Sequence, residues 1–121
     1  MSPVDELTEL YEQWRRLSQE EGRAIDDADW EQVAQCQSGK SSLQPRIAEL
    51  SERLEAAVHE TRFRSVVEPL MEMERSNQGR LREQRQLAER QKQQLDRSRR
   101  QLRQLHQSYV PPARTNWQSY S

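Results

Sequence analysis

The first apolar residues of the chain fall at Leu7, Leu10, Tyr11, Trp14, Leu17, Ala24 and Ile25. Steps of three and four residues place them on one helix face. Glu21 is the only polar intruder in that series. Ser2 can cap the helix, Pro3 suits its first turn, and Asp5 and Glu6 favour its dipole. The pattern predicts a helix over about 4–25. Asp26-Asp27-Ala28-Asp29 breaks it, and Asp29 can cap a helix starting at Trp30. A second arm, 30–60, carries Val33, Ala34 and Cys36, then Leu43, Ile47, Leu50, Leu54, Ala57 and Val58. Ser38-Gly39-Lys40-Ser41-Ser42 between the two groups predicts a kink or break near 39–42. Pro45 would then fall in the first turn of a new segment.

Phe63, Val66, Val67, Leu70, Met71 and Met73 open a last helix, predicted over 63–109. Ser65 and Glu68 have capping-box spacing, which would explain Pro69, and a kinked continuation from 61 is the alternative. Pro111-Pro112 stops the helix. Residues 111–121 read as a tail carrying Trp117 and Tyr120. The expected fold is all-α, an antiparallel hairpin or bundle of three to four helices with a long C-terminal helix. Residues 1–110 read as one helical domain.

The last helix is unusual in its seam. Leu81, Ala88, Leu95, Leu102 and Tyr109 recur every seven residues. The companion positions are Asn77, Gln84, Gln91, Ser98 and Leu105, which are mostly polar. A self-contained coiled coil has apolar residues at both. Either the outer half of the helix lies on solvent, or a partner helix completes the seam.

Composition fits narrow stripes. Of 121 residues, 32% are hydrophobic and 32% charged, with mean hydropathy −1.21. That is too little apolar matter for a multilayer core, so a doubly wound sheet or barrel enzyme is not expected. The net charge of −1 conceals a division: residues 1–60 hold 14 acidic and 6 basic side chains, residues 61–121 hold 6 and 13. An antiparallel fold would set the basic arm along the acidic ones.

Candidate chemistry is sparse. Ala34 to Ser41 fits a relaxed phosphate-loop pattern, but the true motif follows a strand, and no strand is predicted. Glu55 and His59 share a helix face, which is too few ligands for a metal site. Cys36 reads as a small buried thiol. The arginines of 80–103 could meet phosphates. No catalytic constellation is expected, and no cofactor or metal. There is no apolar run of spanning length and no signal-peptide pattern, so a soluble, cytoplasmic protein is expected.

The order of features resembles the small flagellar export chaperones of the FlgN and FliT type. The likeness rests on Leu10-Tyr11, Trp14 and Leu17; on Ala28-Asp29-Trp30-Glu31; on Leu43, Arg46 and Leu50; and on the 67–81 stretch with Leu70, Met73, Asn77 and Leu81. It covers about residues 5–109. The resemblance implies a helical hairpin or bundle without catalytic residues. It would bind the C-terminal helical segment of a late export substrate, of the hook-associated or filament-cap type, and hold it from premature assembly. It would also deliver that client to the export ATPase or gate. Leu81, Leu95, Leu102, Leu105 and Tyr109 are the expected partner-facing positions, with Met71 and Met73 as adaptable additions. The alternatives are a homo-oligomeric coiled-coil structural or adaptor protein, with a homodimer formed by the same leucines, and a nucleic-acid-binding helical protein.

Overall fold

A computed structural model describes residues 2–109. It contains three helices, α1 (Pro3–Asp26), α2 (Trp30–Arg53) and α3 (Ala56–Tyr109), and no strand among the described residues. The chain is an all-α helical bundle.

Local chemistry sets the ends of α1 and α2. The Ser2 hydroxyl accepts from the Asp5 amide at 3.2 Å, and the Asp29 carboxylate accepts from the Gln32 amide at 3.2 Å. Each satisfies a donor that the first turn leaves free. α1 closes in a Schellman turn: the Asp29 amide donates to Ala24 O and the Ala28 amide to Ile25 O. Ala28 occupies the left-handed position of that turn, at φ 55°. Glycine is the residue that adopts this conformation without steric cost.

Residues 2–84 form an up-down-up arrangement. Leu7 packs near Leu50, and Ile25 near Val33, so α1 and α2 run antiparallel. α3 runs parallel to α1, with Phe63 beside Tyr11 and Arg80 bonded to Asp26. One core cluster gathers Leu7, Tyr11, Leu50, Phe63 and Leu70. A second gathers Ala24, Ile25 and Val33, with Leu81 against it. The chain divides into two compact units, Met1–Gln84 and Arg85–Ser121, whereas the sequence reading takes 1–110 together. The described part of the second unit is the continuation of α3, and every residue from 85 to 105 is exposed.

Two expected boundaries move. α2 runs unbroken through 39–42. Gly39 is there because α1 lies close: a Cβ at that position would sit 3.1 Å from Leu17 Cδ1. Lys40 is buried in an ion-paired cluster, so the polar run that suggests a break is partly interior. Pro45 lies inside the helix. The break falls instead at Leu54, which is extended, and α3 starts at Ala56 rather than 63. The two extra turns are held by ring contacts. Phe63 lies 5.4 Å from both Tyr11 and His59, and the Tyr11 hydroxyl and His59 Nε2 are 3.0 Å apart. Ser65 and Glu68 are therefore helix interior, not a cap, and Ala57 and Val58 belong to α3.

Candidate functional site

Between the two apolar clusters lies a polar layer. The stripes that face inward read 7-11-18-21-25 on α1, 33-36-40-50 on α2 and 63-70-77 on α3, with Glu74 beside the last. Ser18, Glu21, Lys40 and Asn77 are buried polar residues at one level. Lys40 Nζ donates to Glu21 Oε1 at 2.9 Å and to both Glu74 oxygens at 2.8 and 3.0 Å. Glu74 also accepts from Ser18 Oγ at 2.6 Å and Trp14 Nε1 at 3.0 Å. Asn77 Nδ2 donates to Ser18 O at 2.8 Å and to Glu21 at 3.0 Å. Burial pushes the Glu74 carboxyl up, but the bonds from Lys40, Ser18 and Trp14 outweigh it and leave it below its ordinary value of 4.5. Gly22 lets α3 approach here, since a Cβ would meet Asn77 and Arg80.

This layer ties the three helices together. A buried charge with its partners in place fixes the register of three helices, because any slip leaves an unpaired charge in the interior. It also gives the phosphate-loop-like residues their place. Lys40 sits in mid-helix with two carboxylates, and no loop of free amides surrounds it. Cys36 is buried, and burial pushes its thiol up, with Glu20 and Glu21 adding to the shift. His59 faces Tyr11 and Phe63. Among the described residues, no group of three or more His, Cys, Asp or Glu side chains is placed to hold a metal ion.

Beside the polar layer is an open apolar groove of about 380 Å³. Tyr11 and Trp14 of α1 line it, with Ile47 of α2 and Val67, Leu70 and Met71 of α3. Met71 is 56% exposed.

The seven expected partner-facing residues are not brought together. Met71 lines this groove. Met73 packs against the first core cluster and lines a different surface, beside Ser18 and Asn77. Leu81 packs against the second cluster. Its face of α3 is the one turned to α1, so both residues are half-buried by their own chain. Leu95, Leu102 and Leu105 are 52%, 66% and 63% exposed. The side chain of Tyr109, and the tail with Trp117 and Tyr120, lie outside the described residues. Sequence reasoning missed Leu87, which is 47% exposed. At about 100° per residue, Leu87, Leu95, Leu102 and Leu105 share an arc of roughly 80°. Leu87 stands one residue before the seven-residue repeat of Leu81, Ala88 and Leu95, so that repeat does not mark it.

No protein-family model, no curated protein and no solved structure matches the chain. No described helix is long and apolar enough to cross a membrane.

Proposed function

We propose that this protein is a flagellar, type III export chaperone that binds the helical C-terminal segment of a late export substrate and delays its assembly. The observation that carries the reading is the leucine face of residues 85–105. Four leucines lie on one arc of a helix whose every residue is exposed there. An amphipathic helix of a client, laid along them, would bury that face by the helix-on-helix mode of recognition. Three supports come from the residues. The described residues are nearly all helical. Asp29 and Asn77, which carry much of the resemblance to FlgN- and FliT-type chaperones, cap α2 and lock α3 to α1. Met71 adds an adaptable apolar group at the groove. The proposed setting is the cytoplasm, and the reading assigns no catalysis.

The test is co-purification with the C-terminal segments of hook-associated and filament-cap proteins from the same genome. The wild-type chain should hold such a segment in a soluble complex and slow its polymerisation. Polymerisation at an unchanged rate with every such segment would contradict the proposal.

A further inference from the structure

The exposed part of α3 carries a charge pattern as well as a leucine face. With Leu81 as position a of a heptad, position e holds Arg85, Lys92 and Arg99 in succession. Position g holds Leu87, Gln94 and Gln101. No acid stands at either flank of the seam in this stretch. Glu89 and Asp96 occupy the outer b position. Overall, residues 85–109 hold seven Lys or Arg against two acids. Among the described residues, Arg85, Lys92 and Arg99 are all exposed and enter no ion pair. This contrasts with Arg46, Lys40 and Arg80, which each bond to an acid on another helix.

In paired helices the e and g charges choose the partner and its direction. A second copy is a poor match. Laid antiparallel, it sets Arg85, Lys92 and Arg99 against the same cations. Laid parallel, it sets them against Leu87, Gln94 and Gln101, which offer no anion. A nucleic acid would meet the cations but leave the four leucines uncovered.

We infer that the face of residues 85–105 takes an amphipathic helix of another protein whose flanking positions are acidic. The inference rests on the client-helix reading above and adds the charge class of the client. Leucines supply the contact area, and the e-position cations set selectivity.

The test uses the full chain and two synthetic helical peptides. Both carry the same leucine heptads; one has Glu at e and g, the other Lys. The Glu peptide should bind about tenfold more tightly at low ionic strength, a gap that salt should close. The triple variant Arg85→Glu/Lys92→Glu/Arg99→Glu should reverse the preference, which loss of folding would not do. Leu95→Asp/Leu102→Asp should abolish binding of both peptides. Equal binding of the two peptides, lost in the leucine variant, would overturn the charge rule and leave the client-helix reading standing. Binding of neither would count against both. Self-association of the chain that excludes the Glu peptide would make a second copy the occupant. Displacement of the Glu peptide by duplex DNA, with a DNA affinity that Leu95→Asp/Leu102→Asp leaves unchanged, would make it a nucleic acid.

Discussion

The two halves of α3 are one continuous helix with two fates. In residues 56–84 the inward face holds Phe63, Leu70 and Asn77, each at most 7% exposed. In residues 85–105 the leucines at the comparable face are about half exposed or more. The helical chemistry is the same, so the difference lies in what stands opposite. α1 carries a matching stripe and, at Ser18 and Glu21, polar groups that answer Glu74, Asn77 and Lys40. Residues 85–105 have no such complement among the described residues. A helix face is buried or bare according to what stands opposite it, and the charges differ in the same way: paired across helices in the first unit, single-signed along the seam in the second.

The largest effect should come from the polar layer. Lys40→Ala would leave Glu21 buried without its cation and should cost about 3–5 kcal/mol in denaturant unfolding. Glu21→Leu/Lys40→Met should recover much of this. A double variant as damaged as the single one would mean that packing, not charge, makes the layer. Next, Leu50→Ala should cost about 2–5 kcal/mol, whereas Leu102→Ala should stay within about 0.5 kcal/mol. Similar losses at both sites would erase the contrast between the two regions.

Acid should act on the first unit through Glu74. A carboxyl whose pKa is lowered by folding contributes stability above its unfolded value, and that contribution is lost as pH falls through the folded value. Stability should therefore drop below about pH 4.5, and Glu74→Gln should flatten the drop. The smallest effect is a gain. Ala28→Gly relieves the left-handed turn after α1 and should raise stability by up to about 1 kcal/mol, read from the unfolding midpoint.

Helix class, helix number and the turn at 26–29 were legible because periodicity and caps are local. The ends of α2 and α3 were not. Gly39 and Lys40 look like a breaker and a loop cation until α1 is beside them, and Ser65 looks like a cap until Tyr11 is seen to hold His59 and Phe63. Glu21 was the available clue: a carboxylate in an apolar series requires a buried cation, and Lys40 is the lysine on the matching stripe of α2. Leu81 and Leu95 share a heptad position, so periodicity could not separate a residue covered by α1 from one that is bare.

The most direct test places Asp at Leu95 and Leu102 together in the full chain and follows both unfolding and capture of the client segment. The account predicts an unchanged unfolding midpoint for the bundle and loss of capture. A midpoint lowered as far as Leu50→Ala lowers it, or capture that survives the two aspartates, would contradict it.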